Sequence, residues 1–227
     1  MKKYFLEFLV VFFGILLSFM IDNRIKYSER VDNKNFLLGQ LNEVIKEDQT
    51  QLKIVESTLN DCLESISILI YDYKNKILHD SVVVKHFSNV SSKMSISFFP
   101  QNSIYNQIVQ SQYLELIENK KLKENLASLY EHLNDRNESV NLKLDLFNQE
   151  FDLALIDLVY YRTILNEVEN SVDLDTSIKD YNISKGYRNN KLVMGYYTNA
   201  EKRVIFYLEL LKKYREIMNE IITELNK

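Results

Sequence analysis

The sequence predicts an all-α protein: an N-terminal transmembrane helix followed by a long antiparallel, coiled-coil-like helical bundle. Three observations carry that expectation. Helix breakers are scarce, with 4 Gly and 1 Pro in 227 residues. One stretch near the start is apolar on nearly every side. The rest carries three long runs of apolar residues at alternating three- and four-residue steps.

The apolar stretch runs from Tyr4 to Ile21 and holds one charge, Glu7, in eighteen positions. As a helix it would be about 27 Å long, close to the ~30 Å hydrocarbon core of a bilayer. Lys2 and Lys3 precede it, and Asp22, Asn23, Arg24 and Lys26 follow. Glu7 sits in the first turn, within reach of headgroups, where a charge costs less than at mid-bilayer. A cleaved signal peptide would need small residues beyond the apolar core, and none follow the Ala-x-Ala pattern. A buried core helix would show a polar face, which Phe8 to Ile21 lacks apart from Gly14 and Ser18. An uncleaved anchor over residues 1–24 is therefore the expectation, with the lipid bilayer as its partner. Gly14 and Ser18 form a small-x-x-x-small pair of the kind that lets two anchors pack closely. Lys2, Lys3 and the amino terminus nearly cancel Arg24, Lys26, Arg30 and Lys34 in the positive-inside count. The Lys-Lys start followed by an apolar run is export-like, which favours a single-pass protein of the cell (inner) membrane with its body outside the cytoplasm.

Residues 25–78 read as one long heptad helix. Leu41, Ile45, Asp48, Leu52, Val55, Leu59, Cys62, Ile66, Leu69 and Tyr73 share one seam, where only Asp48 is charged. Residues 79–118 break the rhythm, with His79-Asp80-Ser81 as a stop, a Ser- and Asn-rich stretch and Pro100. They are expected to form a tip loop with short helices, one of them capped by Ser103. Residues 119–227 resume as two long heptad helices joined by a polar loop. The first passes Leu122, Leu126, Leu129 and Leu133, then Val140, Leu144, Phe147, Phe151, Ala154, Leu158, Tyr161, Leu165 and Val168. Between Leu133 and Val140 the seam passes Arg136, a stutter that unwinds a supercoil locally. The loop around Asn170, Ser171, Asp173 and Asp175, reaching Gly186, is placed beside the bilayer. The last helix passes Tyr197, Ala200, Val204, Tyr207, Leu211, Tyr214, Met218, Ile221 and Leu225.

Material for chemistry is thin. One Cys excludes a disulfide framework and a multi-thiolate metal site. A formal charge of −4, from 28 Lys and Arg against 32 Asp and Glu, gives no reason to expect nucleic acid. Gly-rich phosphate cradles and the His-Glu-x-x-His zinc motif are missing. Cys62 reads as a small seam hydrophobe. His79 and His86 are seven apart without further ligands, and Asp173-Leu174-Asp175 lacks the other oxygens of a calcium loop. Glu131-His132 has the wrong spacing for a carboxylate-bridged metal pair. The tyrosines Tyr160, Tyr161, Tyr196, Tyr197, Tyr207 and Tyr214 read as core with polar tips. No catalytic, metal or cofactor residue is assigned. The polar seam positions Asp48 and Arg136 are candidates for register control or a ligand contact.

Two stretches carry a resemblance. Glu7-Phe8-Leu9-Val10-Val11-Phe12-Phe13-Gly14-Ile15-Leu16-Leu17-Ser18-Phe19-Met20-Ile21-Asp22-Asn23 resembles the anchor of uncharacterised single-anchor helical membrane proteins of Bacteroidota, with Arg24 where a Trp is usual. Tyr105 to Ile117 with Leu122 to Tyr130 is similar to that family's mid-chain motif, which has Ser-Gly-Lys-Leu in place of Ser111-Gln112-Tyr113-Leu114. The resemblance implies one anchor, a helical body and no assigned activity.

The expected function is contact: a membrane-anchored scaffold, adaptor or assembly subunit with a protein partner or a homo-oligomeric state. The alternative is a helical ligand-sensing module that signals through its anchor. An enzyme is the least supported reading.

Overall fold

A computed structural model describes residues 2–166 and 175–227. The expected Val168 seam position, Asn170, Ser171 and the Asp173-Leu174 pair lie outside the described residues. The chain is predominantly helical, as its composition requires, with a single two-stranded sheet among the described residues.

Helix α1 runs from Lys2 to Asn75 without a break, about 110 Å at ~1.5 Å per residue. Its apolar start is the one described helix long and apolar enough to cross a membrane. Phe8, Val10, Phe13, Ile15, Leu17, Phe19 and Met20 are all exposed there, because nothing in the chain covers them. The first buried residue is Leu37. Residues 22–30 therefore form a bare helical stalk of ~13 Å, braced by the Lys26–Asp22 pair at 2.6 Å. From Leu37 onward one face is buried, and the seam from Leu41 to Leu69 lies wholly inside.

Helix α1 stops without glycine. Lys76 takes the left-handed conformation (φ 57°), a strained choice for a residue with a Cβ. The Asp72 carboxylate offsets it by accepting the backbone N–H groups of Ile77 and Leu78 at 3.1 and 2.8 Å. His79 then caps α2 (Asp80–Lys93), its Nδ1 accepting the Ser81 N–H at 3.3 Å. What reads as a stop is thus a turn from one helix into the next.

The path of the chain corrects two expectations. Residues 79–118 are not a tip loop but a return leg. Val83, Val84, Phe87, Val90, Met94 and Phe98 are buried, while Asn89 and Ser91 bond to side chains of facing helices and Ser92 and Ser97 bond to nearby backbone. An extended stretch leads to α3 (Ser103–Gln110) and a 3₁₀ turn (Tyr113–Leu116) at the base, where Lys34 Nζ reaches the Leu116 carbonyl at 3.4 Å. Between them Gln112 is left-handed (φ 57°), a conformation that glycine adopts without strain.

Helix α4 (Lys120–Ala127), a π-helical turn (Ser128–Leu133) and α5 (Asn134–Leu155) climb away from the base again. The π-turn is the physical form of the stutter, since its wider ring shifts the helix phase by a residue. As a result Asn137 takes the buried seam position, and Arg136 is exposed with its guanidinium 5.4 Å from the Phe206 ring.

The second correction lies beyond Leu155. The expected helix through Leu165 is instead a hairpin of β1 (Val159–Asn166) and antiparallel β2 (Asp175–Ile183). Val159-Tyr160-Tyr161-Arg162-Thr163-Ile164 is β-branched and aromatic, and such residues favour the pleated surface of a strand. Burial alternates accordingly: Val159 is inside, Tyr160 is out, and Tyr161 packs its ring 6.0 Å from Phe87 on α2. The hairpin therefore sits at the end of the bundle remote from the apolar segment, not beside it.

Helix α6 (Lys191–Leu225), capped by Asn190, runs back antiparallel to α1. Arg188 meets Asp72, Arg215 meets Glu56, and Gln49 meets Asn219, which fixes the direction. The bundle thus has four legs: α1 out, α2 and α3 back, α4 and α5 out, α6 back.

Candidate functional site

The buried polar residues Asp48, Ser65, Asp72, Asn137 and Asn141 each make a hydrogen bond, whereas the buried Tyr130 and Tyr214 hydroxyls make none among the described residues. Asp48 is 1% exposed, and its two carboxylate oxygens accept the Gln101 backbone N–H at 3.0 and 3.3 Å. Burial pushes its pKa up to about 6. The neighbouring extended stretch has no strand partner, so its backbone needs side chains. Asn137 Nδ2 donates to the Phe98 carbonyl at 2.7 Å, and the Phe98 N–H donates to the Tyr207 hydroxyl at 2.8 Å. Asp48, Asn137 and Tyr207 therefore form a cradle for an irregular segment threaded between α1, α5 and α6. Asp48, expected at a register or ligand-contact position, holds the Gln101 backbone here. Arg136 does not reach this cradle.

A second cluster clamps the far end. Asp72 is fully buried and receives Arg188 Nε at 2.8 Å. Arg188 also reaches Asp80 at 3.0 Å and the Leu78 carbonyl at 2.8 Å, so one guanidinium ties α1, α2 and the approach to α6 together. The Tyr187 and Tyr197 hydroxyls hydrogen-bond behind it. Sequence reasoning missed this clamp, because Tyr73 fits the heptad seam better than Asp72.

A polar cleft between α1 and α2 is the third cluster. Ser65 is buried, with its Oγ 3.1 Å from His86 Nδ1 and accepting Asn89 Nδ2 at 2.7 Å. Burial holds His86 below its usual pKa. Ser65 and His86 resemble a nucleophile with its base, but Ser65 lies in mid-helix. The backbone N–H groups around it are committed to α1 and cannot cradle an oxyanion. The geometry supports helix adhesion. His79, meanwhile, is spent on capping α2. Cys62 is buried, and burial pushes its thiol up to about 12, which keeps it protonated and inert. Among the described residues, no three His, Cys, Asp or Glu side chains converge to hold a metal ion.

Gly14 and Ser18 lie on the exposed apolar part of α1, where Gly14 has no atom of another element within 4 Å. With Val11, Ile15, Phe19 and Asp22 they line a shallow groove along that helix.

The feature without an internal purpose is the outer face of α5. Its inner seam of Leu144, Phe147, Phe151 and Leu155 is buried. Directly opposite, Leu142, Leu146, Leu153 and Ile156 are 61%, 51%, 72% and 58% exposed. They recur at steps of four, seven and three, a second heptad seam facing away from the bundle. Single exposed hydrophobes are ordinary, whereas these four recur on one face, interrupted by the exposed Gln149. The signal was present in the sequence, and the stronger inner seam of the same helix masked it.

Compared with protein families, with curated proteins and with solved structures, the chain shows no match.

Proposed function

We propose that this chain is a membrane-anchored docking module. The exposed apolar start of α1 holds it in a bilayer, the stalk lifts the bundle clear of the headgroups, and the outer face of α5 receives a protein partner. The observation that carries this reading is the second seam on α5, which the chain's own fold leaves uncovered. The clusters inside the bundle support it, since each is spent on holding the scaffold together. The resemblance to single-anchor helical proteins points the same way. The chain is placed in the cell (inner) membrane as a single-pass protein with its body outside the cytoplasm, following the Lys2-Lys3 start.

Two measurements test the reading. A reporter fused after Lys227 is active only in the compartment that holds the body, and extracytoplasmic activity is expected. A photo-reactive residue at Leu153 should join α5 to one defined partner chain in intact membranes. Absence of any adduct from this face removes the basis for a docking function.

A further inference from the structure

We infer that the occupant of the α5 outer face is a basic amphipathic helix of another protein, an assignment that rests on the docking reading above. Acidic side chains flank the Leu142–Ile156 seam on both sides. At 3.6 residues per turn, Asp145 falls on one border and Glu150 and Asp157 on the other, while Glu138 lies one turn before Leu142 in line with Ile156, and the exposed Gln149 lies mid-seam. All four acids are exposed, and none forms a salt bridge among the described residues. Glu138 takes only the neutral Asn134 amide, at 3.0 Å. Of the two basic side chains of α5, Arg136 covers Phe206, and Lys143, on the same border as Glu150, lines the groove toward α6.

An apolar seam bordered by unpaired carboxylates is half of a helix pair, whose other half carries apolar residues bordered by Lys or Arg. Two copies of this face related by a two-fold axis would set carboxylates against carboxylates, so the chain is a poor partner for itself here. An anionic lipid surface is excluded by the same repulsion.

The test uses the full chain in an uncharged detergent and three helical peptides of about 21 residues, matching three heptads. All carry Leu and Ile at the seam; the borders carry Lys, Gln or Glu. Fluorescence anisotropy should show the Lys peptide binding at least ~10-fold more tightly than the Glu peptide at ~50 mM salt, with the gap shrinking at ~500 mM. The triple substitution Glu138→Lys, Asp145→Lys, Glu150→Lys should invert that preference while leaving the helical circular dichroism unchanged. Equal binding of all three peptides, or failure of the substitutions to invert the order, overturns the assignment. If the Lys peptide does not bind while the Leu153 adduct persists, the partner chemistry is wrong and docking stands. Loss of the adduct as well removes both.

Discussion

Helix α5 presents two leucine-rich faces with the same periodicity and opposite fates. On one, Leu144, Phe147, Phe151 and Leu155 are buried, with Phe147 and Phe151 against Tyr196 of α6 and Phe151 stacked on Phe87 of α2 at 5.1 Å between ring centres. On the other, Leu142, Leu146, Leu153 and Ile156 meet no neighbour that hides them. Heptad spacing alone does not say which face folds the protein and which stays exposed. The borders tell them apart. The inner face is bordered by residues that bond across the bundle, such as Asp152 to Ser91 at 2.7 Å, whereas the outer face is bordered by unpaired acids.

Substitutions on the two faces should separate stability from contact. Phe151→Ala should destabilise the chain by about 3–5 kcal/mol, because it opens a cavity among fully buried rings. Leu153→Ala should change stability by no more than ~0.5 kcal/mol, as for other exposed positions. Thermal or denaturant unfolding of the full chain in uncharged detergent measures both. Equal costs would mean that the outer face is covered by the chain itself.

The far-end clamp ranks next. Asp72→Ala leaves Arg188 and the Ile77 and Leu78 N–H groups without their buried acceptor, and a loss of about 2–4 kcal/mol is expected. The same unfolding measurement reads it. Hydrogen exchange should also rise first at the α1–α2 turn, leaving α5 protected.

Asp48 supplies the pH dependence. Its folded pKa of about 6, raised by burial and by the nearby Glu47 charge, lies above the ~3.9 of an unfolded aspartate. The protonated form is therefore favoured in the folded state. Its contribution is full below about pH 4 and is lost as pH rises through about 6, a swing of about 2–3 kcal/mol. The groups facing the carboxylate are the Gln101 N–H, Glu47, Tyr130 and Tyr214. Unfolding midpoints should rise from pH 7 to pH 5, and Asp48→Asn should flatten that slope. A slope that survives in Asp48→Asn assigns the titration to another group.

The smallest effect concerns the turn before α4. Gln112 is exposed and left-handed, so Gln112→Gly should stabilise the chain by ~0.5–1 kcal/mol. Destabilisation would show that the Gln112 side chain holds the turn.

Much of this architecture can be read from residues alone, and the failures have identifiable causes. The α1 seam is legible because every position from Leu41 to Leu69 serves one long interface. The α6 seam is legible for the same reason. Arg136 was misplaced because the π-turn at Ser128–Leu133 shifts the phase, and no local propensity marks that turn. The hairpin was missed because Tyr161 and Leu165 satisfy a heptad as well as a two-residue alternation, while β-branching at Val159, Thr163 and Ile164 decides for the strand. The return leg through Phe98 resembles a loop in sequence because its polar residues outnumber its buried ones. Its core positions emerge only once Asn137 and Tyr207 are seen holding its backbone.

The most direct test of the central claim compares two exposed apolar positions in the full chain in intact membranes. Leu146 lies on the outer seam of α5, and Ile54 is an isolated exposed residue on α1. With a photo-reactive residue at each, the account predicts an adduct from Leu146 that disappears when Leu142 and Leu153 become Ser, and none from Ile54. No adduct from Leu146, or the same adduct from both positions, would contradict it.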